Sequence, residues 1–218
     1  MGDVNNFKFF DDLIHSESEN IVLTSDIILD EDEEDQYSRG IEIDLNDLTI
    51  DGNGHTIDAM GKARIFKCIW RNILIKNIAL NNGLAIDGGA IYHKAGILNI
   101  KNSKLSYNGD AFGGAINNSS ELRISDSELS NNKAGFGGAI NNGINGNLEI
   151  SNSMLINNKA GWGGAINTTY KNEKVNVLVN NCKFEYNNPD NMTLSKTLLI
   201  WIFLMKVIFE FLISFKNS

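Results

Sequence analysis

One four-residue phrase constrains this chain more than anything else in it. Gly88-Gly89-Ala90-Ile91 returns as Gly113-Gly114-Ala115-Ile116, Gly137-Gly138-Ala139-Ile140 and Gly163-Gly164-Ala165-Ile166, at spacings of 25, 24 and 26 residues. A second phrase lies between these copies. It runs Leu98-Asn99-Ile100, Ser103, Leu105, Asn108, then Leu122-Arg123-Ile124, Ser127, Leu129, Asn132, then Leu148-Glu149-Ile150, Ser153, Leu155, Asn158. A fixed period of this size defines a solenoid, because each unit buries its apolar face only against its neighbours. Within a unit the apolar residues alternate, which is the period of a strand and not of a helix. The strands are short, and Asn, Asp, Ser and Gly separate them as turn formers. The expected fold is therefore all-β: a parallel β-helix with one coil per roughly 25 residues, rising about 4.8 Å per coil.

Equivalent residues of successive coils should stand in columns. Ile50, Ile75, Ile100, Ile124, Ile150 and Val179 form one; Leu80, Leu105, Leu129, Leu155 and Phe184 a second; Ile91, Ile116, Ile140 and Ile166 a third. Three columns on one interior predict three faces per coil, and about six to seven coils over residues 20–188. Asn108, Asn132, Asn158 and Asn187 form a polar column whose amides can bond up and down the stack. The chain has 32 Asn, which suits a fold that turns sharply in every coil, because Asn tolerates left-handed backbone. Phe112, Phe136 and Trp162 precede the double glycines, with Asp87 in the first unit. The sequence does not fix whether this column faces inward or outward.

These phrases resemble the Gly-Gly-Ala-Ile and (Leu/Phe)-x-x-Asn repeats of chlamydial polymorphic outer membrane proteins. They also resemble the adhesin-like surface proteins of methanogenic archaea, in which a stretch like residues 49–58, Thr-Ile-Asp-Gly-Asn-Gly-His-Thr-Ile-Asp, precedes such coils. The resemblance covers about residues 20–188. It implies the right-handed, single-stranded, pectate-lyase-like β-helix and a cell-surface or extracellular location. It also implies a non-catalytic module, here a truncated adhesin-like protein, that presents its faces to glycans or cell-surface proteins.

The ends read differently. Phe7, Phe10, Leu13 and Ile14 fall at helical spacing with Asp11, Asp12 and Glu17 opposite, so 6–17 reads as an amphipathic helix within an N-terminal capping segment, 1–19. Met1-Gly2-Asp3-Val4 has no basic region and no apolar run follows it, so no signal peptide is expected. The acidic run Asp30-Glu31-Asp32-Glu33-Glu34-Asp35 reads as a solvated excursion, since nothing spaces its carboxylates into a cation loop. After Asn188 a fifth Gly-Gly-Ala-Ile is due, but Pro189-Asp190-Asn191 comes instead, and 189–218 reads as a hydrophobic tail. Residues 198–215 are almost all large and apolar, with Lys206 and Glu210 inside the run. Three readings of a helix there stay open: a membrane anchor, a cap on the open end of the coils, and an out-of-frame end.

Candidate chemistry is sparse. The net charge of −8 argues against nucleic acid, which needs a basic footprint. A polysaccharide lyase or glycosidase of this fold is the alternative reading, and a glycosidase needs a carboxylate pair. Asp51 and Asp58 are local to one coil; Asp87 and Asp110 hold different places in their repeats; Arg64, Arg71 and Arg123 form no column with acids. His15, His55 and His93 are scattered, which gives no zinc set. Cys68 and Cys182 stand about four coils apart, roughly 19 Å, beyond disulfide reach, and read as buried thiols. No catalytic, cofactor or metal residues are assigned. Sequons at Asn117, Asn118, Asn167 and Asn191 would fit a glycosylated surface protein.

Overall fold

The computed structural model describes residues 5–16, 18–44, 47–69, 72–170 and 176–196. Three parallel seven-stranded sheets enclose one apolar interior, so the chain makes a seven-coil β-helix. The first sheet stacks Asn20–Val22, Leu48–Asp51, Asn72–Lys76, Ile97–Lys101, Glu121–Ser125, Asn147–Ser151 and Val177–Asn180. The second stacks Ile27–Ile28, Thr56–Asp58, Ala79–Asn81, Lys104–Ser106, Glu128–Ser130, Met154–Ile156 and Lys183–Glu185. The third stacks Ile41–Ile43, Phe66–Cys68, Ile91–His93, Ile116–Asn118, Ile140–Asn142, Ile166–Tyr170 and Met192–Lys196. A two-stranded ribbon, Gly109–Phe112 with Lys133–Phe136, bridges the second and third sheets.

All three expected columns are present in register. Ile50, Ile75, Ile100, Ile124, Ile150 and Val179 are consecutive partners, and Ile21 extends the column downward. Leu80, Leu105, Leu129, Leu155 and Phe184 align likewise, as do Ile91, Ile116, Ile140 and Ile166. Burial is nearly complete along each column in the interior coils, so the hydrophobic gain is shared across coil boundaries.

Two devices bend each coil. Between the first and second sheets one residue sits in the left-handed region: Asn77, Asn102, Asp126, Asn152 and Asn181 in successive coils. Asn and Asp reach that region at lower cost than other residues with a side chain, because the short polar side chain bonds locally. Before the third sheet the double glycine has two separate reasons. Gly137 has φ +65°, and a Cβ there would collide with the Ile140 carbonyl. At Gly138 a Cβ would collide with the carbonyl of Gly164 in the next coil, so its role is close coil approach.

The N-terminal helix is shorter than expected, Phe7–Ile14, with Asn6 as N-cap accepting from the Phe9 N–H at 2.9 Å. Phe7, Phe10 and Ile14 are fully buried and close the first coil. Glu17 lies outside the described residues. The acidic run is exposed at Asp30, Glu31, Asp32 and Asp35, as expected, and departs from that reading at Glu33. Glu31–Glu33 and Glu34–Tyr37 are short helical turns, and Glu33 is buried. Its carboxylate accepts from the N–H groups of Phe7 at 3.1 Å, Lys8 at 2.8 Å and Asp30 at 3.2 Å. A carboxylate on the open amides of a helix start is stabilised by their dipoles, so Glu33 turns inward to hold the plug while its acidic neighbours stay at the surface.

The C-terminal boundary also moves. Met192–Lys196 pairs with Ile166–Tyr170 with Met192 opposite Ile166, so the β-helix runs to Lys196 and not to Asn188. Pro189-Asp190-Asn191 stands where the fifth phrase was due. There the Asp190 carboxylate accepts from the Gly164 N–H at 3.1 Å, and the Thr193 hydroxyl from the Gly163 N–H at 3.0 Å. The apolar run 198–215 lies outside the described residues.

Candidate binding surface

The side-chain amides are organised into ladders, and these decide which surface is left for recognition. Asn108, Asn132 and Asn158 are buried inside the corner after the second sheet. Each Nδ2 donates to the next Oδ1, at 3.1, 3.0 and 3.0 Å up to Asn187, and also to a backbone carbonyl of the coil below. Each next Oδ1 also accepts a backbone N–H, and Gly83 N–H caps the foot on Asn108 at 2.7 Å. All four valences of the Asn132 and Asn158 amides are thus satisfied without water.

Two further ladders were missed from sequence. On the outer side of the third sheet Asn167 donates to Asn141 at 2.7 Å, Asn141 to Asn117 at 2.9 Å, and Asn117 to Asp87 at 3.2 Å. On the inner side Asn118 donates to Asn142 at 2.7 Å and Asn142 to Thr168 at 3.0 Å. The signal was present, since the last three of the four double glycines are followed by Ala-Ile-Asn-Asn or Ala-Ile-Asn-Thr. The sequons at Asn117, Asn118 and Asn167 therefore have buried, bonded amides; Asn191 is exposed and accepts from Asn187.

The inner ladder ends at His93. Its Nδ1 lies 2.8 Å from Asn118 Oδ1, which also accepts from Ser120 N–H, so Nδ1 is the donor and Nε2 carries the lone pair. That Nε2 is the one buried side-chain nitrogen or oxygen without a partner among the described residues. Cys68, its register partner in the coil below, is fully buried, and burial pushes its thiol up to about 12. Burial holds the His93 pKa below its ordinary value, because the charged form is penalised. In the unfolded chain the group titrates near 6.5. As pH falls below that value the unfolded state binds the proton first, so the folded state loses stability until the lower folded pKa is passed. A His93→Asn chain, which continues the amide column, should lose less thermal stability than the parent between pH 7 and 5. Parallel melting curves across that window would refute the assignment.

The other sequence candidates have structural partners. Asp51 accepts from Asn77 at 2.9 Å and from the Asn53 N–H, interactions that, with Lys76 beside it, lower its pKa. Asp58 accepts from Asn82 and from the Met60 N–H. Arg64 donates to the carbonyls of Arg39, Asp87 and Gly88 and lies over the Tyr92 ring. Arg123 pairs with Glu121 and Glu149, His15 with Asp11 and Asp44, and His55 with Asp26. Arg71 and the Asp110 side chain lie outside what the structure describes. Cys182 is only partly buried and takes the place of the serine column, its thiol on the Asn180 carbonyl at 3.2 Å. No group of three or more metal-ligating side chains occurs among the described residues.

What remains outward is the aromatic column. Phe112 and Phe136 are stacked at 5.3 Å and 9°, and Phe136 and Trp162 at 4.9 Å and 12°. These separations exceed the ~3.5–4.0 Å of carbon contact, so touching rings must be offset like shingles, each leaving part of its surface open. Phe112 is 39 % and Trp162 43 % exposed, and Ile86, beside the register partner of Phe112, is 68 % exposed. The result is an apolar strip running along the axis. Comparison with known protein families, with curated proteins and with solved structures finds no match to this chain.

Proposed function

We propose that this chain is a non-catalytic cell-surface repeat module of the adhesin-like class, presenting its side faces to glycans or to proteins of neighbouring cells. The observation that carries the reading is the stacked row of Phe112, Phe136 and Trp162, exposed at both ends and half-buried at Phe136. Single exposed apolar residues are ordinary, but a contiguous row on a rigid face marks a contact surface. The charged groups point the same way. Asp51, Asp58 and Asp87 each accept from ladder or turn donors, which gives each a structural role. The negative net charge disfavours nucleic acid as a partner. Residues 198–215 supply the membrane association in this reading.

Adsorption tests it. The full chain should adsorb to glycan-coated or cell-wall-coated particles and elute unaltered. A chain with Phe112, Phe136 and Trp162 all changed to Ser should adsorb at least tenfold less while melting as a folded β protein. Equal adsorption by the two chains would remove the aromatic strip from the account.

A further inference from the structure

A second axial feature lies on the opposite side of the second sheet from the aromatic strip. It is a groove of about 780 Å³ that follows the left-handed corner from Asn77 through Asn102 and Asp126 to Asn152. Over those four coils it spans about 14 Å at one strand spacing per coil. Lys104 and Glu128, paired at 3.2 Å, form part of its other wall.

The corner amides also form a ladder, but this one is broken. Asn77 donates to Asp51 at 2.9 Å and Asn102 to Asn77 at 2.8 Å. Above, Asn152 donates to Asp126 at 3.4 Å and Asn181 to Asn152 at 2.9 Å. Between Asn102 and Asp126 no ladder bond forms. Asn102 directs its bonded N–H downward, and an ionised carboxylate has none. Two acceptors therefore stand one coil apart in the middle of the groove. The amides of Asn77 and Asn152 each use one N–H in the ladder and keep the other.

We propose that this groove binds a neutral, extended, β-linked glycan laid along the axis, with sugar hydroxyls donating to Asn102 Oδ1 and the Asp126 carboxylate. This deepens the surface-module reading and rests on it. A hydroxyl both donates and accepts, so one ligand can meet the two acceptors and the flanking N–H groups together. The coil rise is close to the length of one pyranose unit in an extended chain, so each rung meets the same part of successive sugars. A curled, α-linked chain does not keep that register. An anionic glycan is opposed by Asp126 and by the net charge of −8. A peptide adding as a strand needs free backbone N–H and C=O groups, and across this groove the backbone is committed to ladders between coils.

The test uses the full chain, kept in a detergent without a sugar headgroup, titrated calorimetrically with cellohexaose, maltohexaose, oligogalacturonate and an extended peptide. Cellohexaose should bind at least tenfold more tightly than the other three. Asp126→Asn supplies the missing donor, so it should mend the ladder, leave the melting temperature unchanged or raised, and weaken cellohexaose binding tenfold or more. Undetectable cellohexaose binding, equal binding by the α-linked or anionic sugar or the peptide, or an unaffected Asp126→Asn chain would each overturn the proposal. The surface-module reading is judged separately, by whether adsorption to particles depends on the aromatic strip.

Discussion

Replacing Ile124 with Asp should lower stability by at least about 4 kcal/mol, a fall in melting temperature of roughly 10 °C or more for a chain of this size. Ile124 is 1 % exposed and sits between Ile100 and Ile150 in the fourth to sixth rungs of the first-sheet column. The change removes a buried aliphatic side chain and puts an unpaired carboxylate where no donor reaches it. It also acts on two coil interfaces at once, because the column is continuous. Ile124→Val, which only trims a methylene, should cost about 1 kcal/mol. Acidification should recover part of the Asp loss by neutralising the carboxyl. Thermal and urea melts of the three chains check this, and an Asp chain that melts with the parent would place Ile124 outside the core.

Asn132→Leu should be nearly as damaging, by about 3–5 kcal/mol, although it adds apolar surface to a buried site. It strands two donors, the backbone N–H and one side-chain N–H of Asn108, and removes the side-chain donor to the Leu105 carbonyl, while Asn158 Oδ1 keeps only the backbone N–H of residue 132. A buried group left without its partner costs about 1–3 kcal/mol, more than the net worth of the bond it made. The exposed corner ladder supplies the control, since Asn152→Gly keeps the left-handed backbone without steric cost, frees its partners to water and should cost no more than about 1 kcal/mol. If the two changes destabilise alike in denaturant melts, burial is not what gives the inner ladder its weight.

The columns were legible because a solenoid turns sequence period directly into spatial register. A repeat of 24 to 26 residues puts Ile100 under Ile124 without any knowledge of the turns between them. The Asn108–Asn132–Asn158 ladder was legible for the same reason. The direction of the aromatic column was not, because it hangs on the left-handed glycine that follows each ring, and one residue of turn reverses a side chain. Glu33 was misread because the composition of its run suggests solvent, while its carboxylate is drawn inward by the open amides of a helix 25 residues earlier. That is a tertiary effect with no local signal. The break in the corner ladder was present in the sequence as a single Asp among Asn residues. It acquires meaning only once the direction of each hydrogen bond is known.

We propose that this β-helix holds its ligands without altering them. The most direct measurement is to quantify reducing ends and unsaturated products released while the full chain is adsorbed to neutral polysaccharides and to polyuronates. The account predicts retention on the neutral material with no product above a protein-free blank. Product that accumulates with time, and that disappears when one Asp is changed to Asn, would contradict it and establish a polysaccharide-processing enzyme instead.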